Sequence, residues 1–289
     1  MSKTPRSLSG KVAVVTGGAR GIGQALARAL AREGVVVAIG DLDAGAAEAA
    51  ATELRNGSIG LALDVTDRPG YTTFLDEVER RLGPVDVLVN NAGIMAVGPF
   101  DEEDEATVVR QLEINLHAVI HGTKEAVRRM KPRGTGHIVN VASSAGKTGF
   151  PNLATYCATK HGVVGMSEAV RGELRGTGVE ISVVMPGIVN TELATGLVET
   201  RGFKISTPED VAELVVEALE FPRFDVFVPK SIGPTWAALQ IVPRRAREAV
   251  ARALKIDRAL LDADRDARAA YEARAAASAP GADRERETV

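Results

Sequence analysis

Cys157 is the single cysteine in 289 residues, so no internal disulfide can close, and the composition fits a reducing compartment. Strong charge is missing too: 35 basic against 38 acidic residues give a formal net charge of −3, which argues against a nucleic-acid surface. No apolar run approaches the roughly 18 to 20 residues that span a bilayer, so no transmembrane segment is expected. Met1 to Gly10 lacks the apolar core of a signal peptide, and a cytoplasmic location is the expectation. The four histidines, His117, His121, His137 and His161, form no ligand cluster with cysteine or carboxylates, so no metal site is expected. What is plentiful is apolar side chain, at 45% of residues, enough for a folded core.

Short Val/Ile-rich runs alternate with longer helical patterns. The runs from Lys11 to Thr16, Val35 to Ile39, Ile59 to Leu63, Val85 to Val89, His137 to Val141, Ile181 to Val184 and Asp225 to Val228 read as strands. Helical stretches begin near Gly21, Ala44, Arg68, Glu105, Thr155 and Thr207, the last with Thr207 as N-cap, Pro208 in the first turn and two acids facing the dipole. Seven strands alternating with helices predict an α/β fold, a parallel sheet covered by helices on both faces with right-handed crossovers. A ligand crevice is expected at the carboxyl ends of the strands.

Two constellations carry chemistry. The first strand runs directly into Gly17-Gly18-Ala19-Arg20-Gly21-Ile22-Gly23 and then into an Ala/Leu-rich helix. Gly17 permits the tight turn, Gly21 leaves room for backbone beside a pyrophosphate, and Gly23 lets helix pack closely on strand. The helix N-terminus then offers unpaired N–H groups to phosphates. In the second constellation, Tyr156 and Lys160 lie one helical turn apart on a shared face. An unperturbed tyrosine titrates near 10, and a neighbouring cation favours the phenolate; bringing it down by about three pKa units requires roughly 4 kcal/mol.

With Thr16-Gly17-x-x-x-Gly21-x-Gly23, Asn90-Asn91-Ala92-Gly93, Asn115, Ser143, Tyr156-x-x-x-Lys160 and Pro186-Gly187 in this order, the chain resembles the short-chain dehydrogenase/reductase family over roughly residues 8 to 230. The resemblance implies a doubly wound Rossmann-type domain over residues 1–230 and a homodimer or homotetramer built through the Glu105 and Thr155 helices. It implies Tyr156 as acid/base, Lys160 on the nicotinamide ribose, Ser143 on the substrate oxygen, and Asn115 holding a water that links Lys160 to solvent. Ser143 precedes Tyr156 by the family's usual 13 residues, and Ser144 does not.

Cofactor contacts are expected at Gly17, Arg20, Gly21, Ile22, Gly23, Asp64, Val65, Asn91, Ala92, Gly93, Pro186, Gly187, Ile188 and Thr191, with Asn90 mainly structural. Asp41, 18 residues beyond Gly23, stands where an acid takes the adenosine ribose hydroxyl and repels a 2'-phosphate. NAD is therefore the expected cofactor; Arg20, inside the glycine turn, leaves NADP open. The activity implied is hydride transfer between a secondary alcohol and a ketone. Met95, Val97, Phe150, Leu153, Ile188, Leu193, Leu197 and Phe203 suggest an apolar substrate. An NADP-dependent carbonyl reductase and a non-catalytic dinucleotide-binding regulator are the alternatives.

Beyond Lys230 the pattern changes. Residues 231–275 read as an extension: an apolar stretch with Trp236, Leu239, Ile241 and Val242, then an Ala/Arg/Asp/Glu-rich segment with helical periodicity. It reads as an arm packed on its own subunit or a neighbour, with contact to membrane or an apolar ligand as the alternative. Residues 276–289 read as a disordered tail.

Overall fold

In the computed structural model, residues 4–197, 205–243, 245–246, 261 and 264–277 are described. The seven strands are β1 (Val12–Thr16), β2 (Val36–Asp41), β3 (Ile59–Ala62), β4 (Val87–Asn90), β5 (Gly136–Val141), β6 (Val179–Pro186) and β7 (Asp225–Val228). They form one sheet in the order β3-β2-β1-β4-β5-β6-β7, parallel throughout. The order reverses between β1 and β4, and the crevice of a doubly wound sheet opens outside the carboxyl ends of those two strands. Seven parallel strands were expected from the sequence, and seven are present.

The strands are buried on both faces because each face is roofed by helices. Alternate β1 residues split between the two sides: Ala13 and Val15 pack with Leu26, Leu30, Val211 and Leu219. Val12 and Val14 pack with Tyr71, Phe74, Met130 and Val163. Helices α1 (Gly21–Arg32), α2 (Ala44–Leu54) and α7 (Pro208–Glu220) supply the first layer; α3 (Arg68–Leu82), α5 (Ala118–Met130) and α6 (Ala154–Glu173) supply the second. The α7 start is a full capping box: Thr207 accepts from the Asp210 N–H, and Asp210 accepts from the Thr207 N–H.

The helix expected from Glu105 is interrupted. After α4 (Glu105–Leu112) the chain makes a π turn over Glu113–His117 before α5 begins, and Asn115 lies in that turn. β4 starts at Val87 rather than Val85; Asp86, just before it, accepts from the Val12 N–H through its carboxylate. In the extension, α8 spans Ile232–Ile241 and α9 spans Arg265–Ala277. Ala276 and Ala277, read from sequence as tail, thus continue a helix; 278–289 lie outside the described residues, as do 247–260 of the segment before α9. No helix among the described residues is long and apolar enough to cross a membrane.

Candidate active site

β1 hands the chain to a turn that needs glycine at several positions. Gly17 and Gly21 sit at φ +61 and +53, and a Cβ on Gly17 would lie 2.9 Å from Ala92 Cα. A Cβ on Gly23 would lie 2.2 Å from the Gly17 carbonyl oxygen, so α1 packs directly on the turn. Arg20 occupies the N-cap of α1 without a side-chain capping bond, leaving the first-turn N–H groups without a side-chain acceptor at the edge of the crevice. A positive helix end beside a glycine turn with no room for a Cβ at Gly17 or Gly23 suits a dinucleotide pyrophosphate. Asp41 stands alongside, one carboxylate oxygen accepting from the Ala19 N–H at 3.0 Å and the other from the Asp43 N–H at 3.2 Å. Arg20 reaches not toward Asp41 but toward Asp43, at 3.3 Å on the surface.

One cavity runs from this turn to the far side of β4 and β6, and it brings together Gly17, Arg20, Gly21, Ile22, Asp41, Asp64, Val65, Asn91, Ala92, Gly93, Ser143, Tyr156, Lys160, Pro186, Gly187, Ile188 and Thr191. Two expected residues stand behind its wall, Gly23 and Asn115. The Asn91 side chain faces the turn: its amide donates to the Thr16 and Gly17 carbonyls at 2.9 and 3.0 Å. Thr16 Oγ1 answers by accepting from the Asn91 and Ala92 N–H groups. Asn91 therefore shapes the cradle. Asn90 is structural, its amide tied to Tyr71, Thr123 and Asn140. Asp64 Oδ1 accepts from Thr66.

Tyr156 and Lys160 project from the start of α6, and both are buried. Burial pushes the Tyr156 phenol above its ordinary value of 10, and the nearby Ser143 hydroxyl acts in the opposite direction. Lys160 is 4% exposed, and burial alone lowers its ammonium to about 8. Its Nζ lies 5.6 Å from the Tyr156 ring centroid and donates to the Val141 carbonyl at 3.0 Å, its one hydrogen-bond partner among the described residues. In the protein alone, burial opposes the acidification of Tyr156 expected from a neighbouring cation. Ser143, the N-cap of the turn Ser144–Gly146, also accepts from the Ala145 N–H at 3.1 Å.

The family model described as short chain dehydrogenase matches residues 11–202. The chain belongs to this family. A short-chain dehydrogenase/reductase from Burkholderia phymatum, solved in complex with NAD, superposes with a TM-score of 0.73 at 30% identity, covering 80% of this chain and 93% of that one. The ketoacyl reductase HetN of Nostoc sp. is 38% identical over 231 residues, 77% of this chain and 79% of the relative. D-threitol dehydrogenase of Mycolicibacterium smegmatis is 40% identical over 189 residues, 64% of this chain and 73% of the relative. This chain is accordingly a short-chain dehydrogenase/reductase, an oxidoreductase family that acts on hydroxyl and keto groups with NAD or NADP.

Within this short-chain dehydrogenase fold the Asn115 side chain is committed locally. Its amide donates to the Ile94 carbonyl and accepts from the Ile94 N–H, both at 2.8 Å, which fixes the chain beyond Gly93. Of the expected substrate wall, Met95, Phe150, Leu153, Ile188, Leu193 and Leu197 line the cavity. Val97 packs one layer behind with Cys157, and Phe203 lies outside the described residues. Cys157 is a packing residue, buried with Met95, Leu153 and Tyr156. The histidines also serve structure: buried His137 bonds Ser182 Oγ at 2.8 Å, and burial lowers it to about 3. Sequence reasoning missed Tyr271, which reaches the cavity from α9 and accepts from the Met95 N–H at 2.9 Å. The available signal was a lone tyrosine in an Ala/Arg-rich helix.

Proposed function

We propose that this chain is an NAD-preferring dehydrogenase or reductase that interconverts a secondary alcohol and a ketone carried on an apolar body. One observation carries the reading: a buried tyrosine, a serine, and a buried lysine with a single carbonyl partner share one cavity with an uncapped helix end and its glycine turn. A buried ammonium holding one acceptor for three donors is costly unless a ligand completes it.

The glycine turn and the N-terminus of α1 would hold the pyrophosphate, Asp41 the adenosine ribose, Asp64 and Val65 the adenine edge, Lys160 the nicotinamide ribose, and Ile188 and Thr191 the carboxamide. When bound, the nicotinamide supplies hydride exchange at the reacting carbon. In reduction, Ser143 and Tyr156 Oη grip the carbonyl oxygen and Tyr156 hands it a proton; in oxidation Tyr156 Oη takes the alcohol proton. The Ser143 hydroxyl and a charged Lys160 both favour the phenolate that oxidation needs. Because the Asn115 side chain is committed to Ile94, a proton route from Lys160 to solvent would use the Asn115 backbone in the π turn.

Asp41 beside the turn favours NAD over NADP, since its carboxylate opposes a 2'-phosphate and Arg20 is already paired with Asp43. The apolar lining, Met95, Phe150, Leu153, Leu193 and Leu197, supports an apolar substrate. The test is a panel of apolar ketones and alcohols alongside sugars and polyols, followed by reduced nicotinamide absorbance with each cofactor. Activity confined to polyols rejects the substrate class, preference for NADP rejects the cofactor, and silence across the panel rejects the activity.

A further inference from the structure

α9 is fastened over the cavity by a guanidinium. Arg268 is 0% exposed and donates to the Met95 carbonyl at 2.8 Å, the Leu193 and Thr195 carbonyls at 3.1 and 2.9 Å, and Glu272 at 3.1 Å. A buried arginine is destabilising unless its donors are met; here three hydrogen bonds join α9 to the chain after β4 and the chain after β6, and a fourth stays within α9 on Glu272. The partner loop is shaped to receive it. Gly196 sits at φ +77, where a Cβ would lie 2.6 Å from the Asp264 carbonyl oxygen and 2.9 Å from Arg268 Cγ. The Asp264 N–H donates to the Gly196 carbonyl at 2.9 Å, and Asp264 Oδ1 accepts from the Ala267 N–H in the first turn of α9.

This clamp fixes Tyr271 in the cavity that holds Tyr156 and Ser143. Its hydroxyl accepts from the Met95 N–H at 2.9 Å, and among the described residues nothing accepts the proton that the hydroxyl still carries. Around it the wall is apolar, with Met95, Leu153, Leu193 and Leu197. A preoriented O–H in such a wall discriminates between substrates that offer it an acceptor and those that leave it dry, because the unmade bond in a dehydrated site is what is lost. Tyr271 is also near enough to Tyr156 to disfavour its ionisation.

We propose that Tyr271, delivered by the C-terminal extension and locked by Arg268, is a substrate-positioning residue that selects apolar ketones or alcohols bearing a second hydrogen-bond acceptor, such as an ester, thioester or hydroxyl oxygen. This inference rests on the oxidoreductase reading above. It assigns the extension to substrate choice, separate from the cofactor cradle.

The experiment uses the full chain with reduced NAD and two probes of matched length, a 3-oxo ester and the corresponding simple ketone. The wild type prefers the oxo ester. Tyr271→Phe, which deletes one oxygen, lowers kcat/KM for the oxo ester about tenfold and for the ketone less than twofold, with affinity for reduced NAD unchanged. Calorimetric binding of both probes to the protein loaded with oxidised NAD, which has no hydride to give a ketone, reads the same preference without turnover, so loss of the oxidoreductase reading is told apart from loss of this one. Arg268→Met abolishes the preference for the oxo ester and also weakens the simple ketone, because the lock on Tyr271 and the anchor of the wall at Met95 and Leu193 are lost together. Equal losses on the two probes in Tyr271→Phe, no loss on either, or no measurable binding of the oxo ester overturns the proposal.

Discussion

Replacing Lys160 with methionine separates the stability of the fold from the demands of the site. The ammonium is buried with one carbonyl acceptor, and its pKa falls from 10.5 to about 8. Above about pH 8 the folded chain has released this proton while the unfolded chain keeps it up to 10.5. The unfolded state therefore binds more protons across that window, and the lysine's contribution to stability rises with pH through it. It is complete above 10.5 and lost as pH falls through about 8. The interval corresponds to about 3 kcal/mol. Lys160→Met keeps the apolar stem and removes the titration, but strands the Val141 carbonyl, at a cost of about 1 to 3 kcal/mol. Near neutral pH the variant is accordingly as stable as the wild type to within about 2 kcal/mol, yet loses turnover. The assay is urea unfolding of both proteins at about pH 7.5, 9 and 10.5, reading the wild-type-minus-variant difference so that other groups cancel. That difference climbs by about 3 kcal/mol toward the alkaline end. A flat difference refutes the reasoning, because it means the ammonium is not desolvated.

Three other perturbations test separate parts. Gly23→Ala drives a methyl toward the Gly17 carbonyl oxygen, 2.2 Å away; the turn relaxes in the free protein and must be forced back on binding, so the Kd for reduced NAD rises roughly 5- to 100-fold by fluorescence titration. Asp41→Asn weakens NAD about tenfold without weakening NADP, measured by paired titrations. His137 is held at about 3 against 6.5, so its neutral form supports the fold above 6.5 and that support is lost as pH falls toward 3. Between about pH 7 and 5 the wild type thus loses about 2 kcal/mol more than His137→Gln in urea unfolding.

Which parts of this account were legible in the sequence follows from the range of the forces involved. The glycine turn and the Tyr156/Lys160 pair are local: backbone sterics and a 3.6-residue repeat fix their geometry within one element. The alternating strands and helices gave the sheet, and the Thr207 cap was readable from three consecutive residue types. The π turn at Asn115 left no such trace, since Glu113-Ile114-Asn115-Leu116-His117 is unremarkable as helix and the turn is set by Asn115 gripping Ile94 across the fold. Spacing also gave the proximity of Lys160 to Tyr156 but not the dielectric around them, so the burial that raises the Tyr156 phenol in the protein alone was not legible. Arg268 was hidden for a related reason. In an Ala/Arg-rich helix every arginine reads as solvated surface, and only the loops after β4 and β6, more than 70 residues away in sequence, turn this one into a buried clamp.

The central claim is that the Tyr156 hydroxyl moves the proton while bound NAD exchanges hydride. Its most direct test is a single-turnover measurement on Tyr156→Phe, saturated with reduced NAD and a ketone that the wild type reduces. The account predicts unchanged binding of reduced NAD and a fall in the rate of nicotinamide oxidation of about a hundredfold or more. A rate within a few-fold of wild type at full cofactor occupancy would contradict it.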